Sequence, residues 1–140
     1  MKRILNYING EFKAPHGNLW LDNYDPSVGE VYSQIPDSRE ADVSDAVAAA
    51  KNAFDAWSSL STEKRSKYLL AISEGIQKRL TEFAEAESRD NGKPTWLATK
   101  VDIPRAVSNF KFFAQAITQF SSESHAMGSM AINYTLRKPL

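Results

Sequence analysis

The chain has 140 residues, and its seventeen lysines and arginines balance seventeen aspartates and glutamates, so its formal net charge at pH 7 is zero. Apolar residues make up 42% and charged residues 24%, which is typical of a globular domain and excludes collagen-like and intrinsically disordered chains. The balanced charge argues against a nucleic-acid-binding protein, and no apolar run approaches the roughly eighteen residues that span a membrane.

The chain contains no cysteine and only two histidines. It therefore offers no disulfide, no thiolate metal cage and no cysteine nucleophile. The first residues lack the continuous apolar stretch and the small-residue cleavage site of a secretory signal peptide. We therefore expect a cytoplasmic protein that binds neither nucleic acid nor membranes.

The first third of the sequence predicts strands and turns. Asn9-Gly10 lies between two short apolar-containing pairs and is a strong hairpin signal, because both residues tolerate positive φ. We further expect a loop, a short strand, a turn and a second strand, at residues 15–18, 20–21, 25–29 and 31–35. These elements predict a small antiparallel unit.

From Asp37 the apolar residues repeat at the spacing of a helix. Asp37 and Glu40 form a capping-box pattern that predicts the helix start at Asp37. The apolar stripe of this first helix contains Val43, Val47, Ala50, Phe54 and Trp57. A second helix, capped by Ser61 or Thr62, has a stripe of Leu69, Ile72, Ile76, Leu80 and Phe83, and a third helix restarts near Thr81.

The third helix is predicted to end at Asn91-Gly92, since glycine readily takes the left-handed conformation found after a helix end. A long helical region then begins near Pro94, and we expect an interruption where Pro104 breaks the hydrogen-bond ladder or lies in a first turn. Its stripe contains Ile103, Val107, Phe110, Ala114, Ile117 and Phe120. Residues 121–129 are expected to form a polar loop. A final strand, with Ile132, Tyr134 and Leu136 on one face, has no visible partner strand, and we expect its partner outside these 140 residues rather than in the first third of the chain.

Motifs that would carry catalysis are absent from the sequence. No glycine-rich dinucleotide fingerprint is present, and we interpret Gly92-Lys93-Pro94 as a helix end followed by a solvated lysine rather than a phosphate loop. The carboxylates of Glu85, Glu87 and Asp90 are interpreted as a solvated helix face. His125 has no acid or nucleophile near it that would make a catalytic triad. Four phenylalanines are interpreted as core residues: Phe110, Phe112, Phe113 and Phe120.

Five sequence blocks, in matching order and spacing, resemble the amino-terminal part of the aldehyde dehydrogenase superfamily. They are residues 7–12, 24–38, 46–57, 87–94 and 134–140. Residues 102–114 resemble most closely the muconic semialdehyde dehydrogenases, which oxidise 2-aminomuconate or 2-hydroxymuconate semialdehydes with NAD. The resemblance implies the α/β fold of that family. This segment would be its α+β part, with amino-terminal hairpins, a run of helices and a final edge strand.

The resemblance also implies a role for each part of the chain. Residues 1–130 would belong to the dinucleotide-binding domain, and residues 131–140 would begin the oligomerisation arm of a homo-oligomer that acts on an aldehyde. The family's cysteine nucleophile, its oxyanion-binding asparagine and its water-activating glutamate have no counterpart here. We therefore expect an amino-terminal portion of an NAD-dependent aldehyde dehydrogenase, inactive by itself. The alternative is a stand-alone, non-catalytic scaffold protein derived from such an enzyme, and the coding DNA beyond Leu140 would separate the two.

No catalytic or NAD-contacting residue of the family has a counterpart in this chain. The resemblance does imply a binding site for a structural monovalent cation. The resemblance implies that its ligands are Asn23, the carbonyl oxygen of Tyr24, and Asp90, with a further ligand from outside this chain. Hard oxygen ligands suit such an ion. The alternative interpretation is that Asp90 is a plain acid at a helix end.

Overall fold

A computed structural model describes residues 1–138, so Pro139 and Leu140, the last residues of the final sequence block, lie outside the described residues. Five strands come first: β1 (Lys2–Arg3), β2 (Asn6–Ile8), β3 (Glu11–Lys13), β4 (Trp20–Asp25) and β5 (Glu30–Pro36). The helices that follow are α1 (Glu40–Ser58), α2 (Thr62–Lys78), α3 (Leu80–Asn91), α4 (Thr95–Leu97) and α5 (Ile103–Gln119). A hairpin of β6 (Ser124–Met127) and β7 (Ala131–Tyr134) comes last. This succession of strands and helices confirms the predicted α+β class of the segment.

The first third forms two small sheets. The hairpin β2–β3 turns at Asn9-Gly10, whose φ angles of 54° and 81° confirm the predicted turn. The other sheet has the order β1-β5-β4, with β4 antiparallel to β5 and β1 parallel to it, Lys2 opposite Ser33. The expected purely antiparallel unit is therefore wrong in one detail. A strand of two residues is too short to show an alternation of apolar and polar residues. The position of β1 in the sheet is set by the free edge of β5.

Helix α1 begins later than the sequence predicted. Its N-cap is Arg39, whereas Asp37 is still held outside the helix by a hydrogen bond from its amide to the carbonyl of Leu19, 3.0 Å long. The acid that closes the helix start is Asp42, which accepts from the amides of Arg39 and His16 at 2.9 Å each. These donors stabilise the ionised form and lower the pKa of Asp42. Asp42 thus joins the turn at residues 16–18 to the first turn of α1.

The buried core is small and built mainly from alanine. Ala84 on α3, Ala98 and Ile103 form the central cluster, and Ile76 and Leu80 pack against it. Both alanines are fully inaccessible to solvent. A methyl side chain lets neighbouring helix backbones approach closely, so the connection from α3 to α5 folds tightly back onto the end of α2.

The expected interruption before Pro104 is a π turn over residues 98–102. The amide of Ile103 donates to the carbonyl of Ala98, five residues earlier, and α5 then continues with Pro104 in its first turn. Pro104 has no amide hydrogen and cannot continue the ladder of hydrogen bonds, and it lies where the wider π turn passes into the first turn of α5. Of the two alternatives, the first-turn position is the one observed.

Much of the predicted apolar surface is uncovered. The accessible surface is 10836 Å², whereas a compact monomer of 15.7 kDa would expose about 7,300 Å². On α1 the large stripe residues are 44% to 58% exposed: Val43, Val47, Phe54 and Trp57. Three of the four phenylalanines interpreted as core are at least 60% exposed: Phe112, Phe113 and Phe120. Periodicity identifies an apolar face but not what covers it.

The region expected to be a polar loop contains a strand. Ser124 pairs with Tyr134 and Met127 with Ala131, so β6 is the partner that β7 was predicted to lack. The tight connection is made possible by Gly128, whose φ is 58°. The sequence of β6 has no apolar alternation, and the structure of this strand is therefore imposed by its pairing. Every residue of both strands is exposed.

Among residues 1–138, no helix combines the length and the apolar character that crossing a bilayer requires.

We predict opposite effects of alanine at two glycines. Gly92 has a φ of 75°, and a Cβ there would lie 3.2 Å from the Cβ of Pro26, so Gly92→Ala should lower the free energy of unfolding by at least about 1 kcal/mol. Gly75 lies inside α2 with open space around it, so Gly75→Ala should raise the free energy of unfolding by roughly 0.5–1 kcal/mol. Urea unfolding followed by circular dichroism measures both. Equal effects would contradict the left-handed helix end at Gly92.

Candidate functional site

Two of the three predicted cation ligands lie side by side, although 67 residues separate them in the sequence. Asn23 is on β4 and Asp90 is in the last turn of α3, and the amide nitrogen of Asn23 donates to Oδ1 of Asp90 at 3.1 Å. Tyr24 follows Asn23 at a register irregularity between β4 and β5, and 54% of its surface is exposed. The structure therefore joins Asn23 and Asp90 through their side chains.

Strand β5 supplies two residues that sequence reasoning missed. The hydroxyl of Tyr32 donates to Oδ1 of Asp90 at 2.8 Å. The amide nitrogen of Asn23 also lies 3.0 Å from the Tyr32 hydroxyl and 3.2 Å from the hydroxyl of Ser33, which is fully buried. Asn23 and Ser33 are direct partners across the two strands. The sequence signalled only a strand here, and no local pattern relates it to Asp90.

The hydrogen bonds fix the protonation states of this cluster. Donation by Asn23, and then by Tyr32, lowers the pKa of Asp90. For Tyr32 the pKa is raised, first by burial and then by the bond to Asp90, because a phenolate beside a carboxylate is unfavourable. At neutral pH the cluster therefore consists of an ionised Asp90 and a protonated Tyr32.

Both donors around Asp90 bond to the same carboxylate oxygen, Oδ1. Asn23 presents its amide nitrogen to Asp90, so its oxygen is on the opposite side of the amide group. Arg89 adds a positive charge, since its guanidinium lies 4.6 Å from the Tyr32 ring centre and 3.8 Å from a carboxylate oxygen of Asp25. In the part of the chain that the structure describes, no three histidine or acidic residues are grouped as a metal site. A cation held by the side-chain oxygen of Asn23 would require this amide to turn over.

Lys93 is not the solvated lysine that the sequence predicted. Its ammonium lies 2.8 Å from Glu87 and 2.7 Å from Asp102, and only 25% of its side chain is exposed. The two hydrogen bonds, that to Asp102 first, raise the pKa of Lys93. This bridge ties the end of α3 to the π turn. The interpretation of the helix acids as a solvated face holds for Glu85, whereas Glu87 is half-buried and pairs with Lys93, and Asp90 is exposed but accepts two hydrogen bonds.

The two histidines lie apart from this cluster. His16 contacts Asp45 at 2.9 Å, and this bond raises the pKa of the imidazole. His125, which was expected to have no acid near it, is 4.0 Å from Glu123, and both side chains are exposed. Neither pair includes a serine or threonine hydroxyl that the described contacts would make a nucleophile.

We predict that Tyr32→Phe raises the pKa of Asp90 towards its ordinary value. Because this pKa is depressed in the folded state, the stabilisation from Asp90 is present above the unfolded value of about 3.8 and is lost as the pH falls through the folded value. The variant should also lose about 1 kcal/mol of stability at pH 7 and show a weaker loss on acidification. Carbon-13 NMR titration of the carboxyl groups measures the change. Tyr68→Phe, at the ring that packs on Trp57, is the matched control. An unchanged Asp90 titration in Tyr32→Phe would contradict the bond.

Comparison with known proteins identifies the fold. The sequence pattern of the aldehyde dehydrogenase family matches residues 12–140. The 2-aminomuconic semialdehyde dehydrogenase of Danio rerio is 46% identical over 136 residues, covering 96% of this chain and 28% of that protein. The 2-hydroxymuconic semialdehyde dehydrogenase of Pseudomonas sp. (strain CF600) is 38% identical over 144 residues, covering 99% of this chain and 30% of that protein.

A solved structure gives the same result at the level of the backbone. The NAD+ complex of an aldehyde dehydrogenase from Bacillus cereus matches 95% of this chain and 28% of its own length, with a TM-score of 0.91 and 29% sequence identity. The chain thus spans less than a third of the length of these relatives. The residues matched, the identities and the superposition agree, and the chain belongs to the aldehyde dehydrogenase family.

Proposed function

We propose that this chain works as the amino-terminal portion of an NAD-dependent aldehyde dehydrogenase that oxidises a muconic-type semialdehyde to a carboxylate. One observation carries the proposal. Nearly the whole chain matches two muconic semialdehyde dehydrogenases, at 46% and 38% identity. The solved relative named for its NAD+ complex supports NAD as the cofactor.

In this proposal the chain supplies scaffold rather than chemistry. A thiolate attack on the aldehyde requires a cysteine, and the 140 residues contain none. What the chain contributes is the positioning of its strands and helices. The bonds of Asp90 and Lys93 hold α3 against the sheet and the π turn, and the uncovered faces of α1 and α5 remain available for the rest of the enzyme.

The domain assignment and the oligomer belong to the proposal as well. We assign residues 1–130 to the dinucleotide-binding domain and residues 131–140 to the oligomerisation arm. Because the hairpin β6–β7 crosses this boundary, the arm as a structural unit would begin at Ser124. The exposed residues and open edges of the hairpin suit pairing with another subunit and support a homo-oligomer. A cytoplasmic location completes the proposal.

The proposed activity predicts a difference between the isolated chain and a completed enzyme. The purified chain should form no NADH from 2-hydroxymuconic semialdehyde and NAD, because it has no thiolate to form the hemithioacetal that releases hydride. When the chain replaces the matching segment of the Danio rerio relative, the resulting hybrid should oxidise its semialdehyde at a rate within about tenfold of that relative. NADH absorbance measures both. Turnover by the isolated chain, or a folded hybrid without activity, would contradict the proposal.

A monovalent cation at Asn23, Tyr24 and Asp90 remains a second part of the proposal. If Na⁺ or K⁺ binds, the melting temperature should be higher in that chloride salt than in tetramethylammonium chloride at equal ionic strength. The gain corresponds to about 1.4 kcal/mol for each tenfold excess over the dissociation constant. Asp90→Asn should abolish the difference, and Glu85→Gln, which removes an exposed charge from the same helix, should not. Equal melting temperatures in the two salts would contradict the binding of a monovalent cation at this site.

A further inference from the structure

An apolar groove lies between α2 and α5, towards the start of α2 and the end of α5. Its volume is about 480 Å³, and its lining includes Leu69 from one helix and Phe113 and Ile117 from the other, with Phe120 just beyond the end of α5. Phe113 and Phe120 are each at least 60% exposed. The groove is thus an open apolar surface between two helices that pack together elsewhere, where Ser73 donates to the carbonyl of Val107 at 2.9 Å.

Arg65 lines one part of this groove and carries an unsatisfied donor. Its Nε is buried from solvent and has no hydrogen-bond partner among the described residues. Since a guanidinium stays charged at any physiological pH, this nitrogen keeps its hydrogen and the cost of burying it. A second guanidinium is close, because that of Arg137 lies 4.4 Å from the ring centre of Phe120. Within residues 1–138, neither arginine is within salt-bridge distance of a carboxylate.

The chemistry of the groove therefore calls for a carboxylate next to apolar side chains. The planar fork of a guanidinium pairs with a carboxylate through two parallel hydrogen bonds, and the two terminal nitrogens of Arg65 would supply them. The groove is one part of a larger uncovered surface. The accessible area of the whole chain, 10836 Å², exceeds that of a compact monomer of this mass by about 3,500 Å², and an excess of this size is on the scale of a permanent protein interface.

We propose that this groove is closed by a further segment of the same enzyme's polypeptide, and that an aspartate or glutamate of that segment pairs with Arg65. The proposal rests on the proposed function, since it takes the covering segment from the part of the enzyme that this chain does not span. Arg65 acts here as a docking residue. It has no part in the chemistry of the aldehyde.

The pairing can be tested by comparing how Arg65→Leu changes the melting temperature of the isolated chain and that of the hybrid. In the isolated chain, Arg65→Leu removes an unsatisfied buried donor and should leave the melting temperature unchanged or raise it. In the hybrid with the Danio rerio relative, the same substitution leaves the covering carboxylate without its partner and should lower the melting temperature by roughly 5 °C. Arg105→Leu, at an exposed arginine of α5, should change neither protein. A loss of similar size in both proteins, or in neither, would overturn the proposal.

A cross-link identifies the partner and does not depend on the melting data. Arg65→Lys keeps the charge and places a primary amine where a carbodiimide can join it to a contacting carboxylate. In the hybrid, mass spectrometry should find a cross-link from position 65 to an aspartate or glutamate outside the 140 residues, which is absent from the unsubstituted protein. A cross-link within the 140 residues or between two copies, or no cross-link at all, would overturn the proposal.

If the hybrid oxidises its semialdehyde but gives one of these results, the docking proposal fails alone. If the expected cross-link forms in a hybrid without activity, the proposed function fails alone.

Discussion

The strands and helices of this chain are joined mainly by the last turn of α3. Within that turn and the glycine after it, Arg89 stacks on Tyr32, Asp90 accepts from Asn23 and Tyr32, and the backbone of Gly92 approaches Pro26. A Cβ at position 92 would lie 3.2 Å from the Cβ of Pro26, so the end of α3 or the turn after β4 would have to move by a few tenths of an ångström. The absence of a side chain at Gly92 thus permits the close approach of α3 to this turn, two residues after Asp90.

The packing around this junction favours close approach over bulk. Among the described residues, three of the four buried apolar residues are alanines and the fourth is Ile103, whereas most of the large apolar side chains lie near or at the surface. Such a core orders the backbone, but it removes little apolar area from water, and the hydrophobic contribution to stability grows with that area. The uncovered apolar faces therefore contribute little to the stability of the described residues.

Sequence reasoning succeeded where the signal was local. The turn at Asn9-Gly10 and the glycine after α3 each depend on the conformation of one or two residues, so a few neighbours in the sequence suffice to identify them. Of the two candidate caps of α2, the observed one is Ser61, whose hydroxyl accepts from the amide of Lys64. It failed where distant partners decide the structure. Asp42 caps α1 through the turn at His16, Lys93 bridges two acids on different segments, and β6 is a strand only because β7 pairs with it.

In the candidate site, too, contacts between residues that are distant in the sequence were only partly predicted. The resemblance to a known family placed Asn23 and Asp90 in one site, and the structure brings them into contact. Neither the resemblance nor the strand pattern indicated that Tyr32 would donate to the same carboxylate oxygen. A hydrogen bond between residues 58 positions apart leaves no periodic trace in the sequence.

The π turn before α5 also determines which residues can share the core. In an α-helix, residues five positions apart point about 140° away from each other, since each residue turns the chain by about 100°. The wider turn brings Ala98 and Ile103 onto one side, where both contact the cluster around Ala84. The additional residue in this turn therefore changes the direction in which the side chains of α5 point relative to those of α4. A relative that lacked it would have a regular helix here and would need a different pair of small and branched residues to fill the same space.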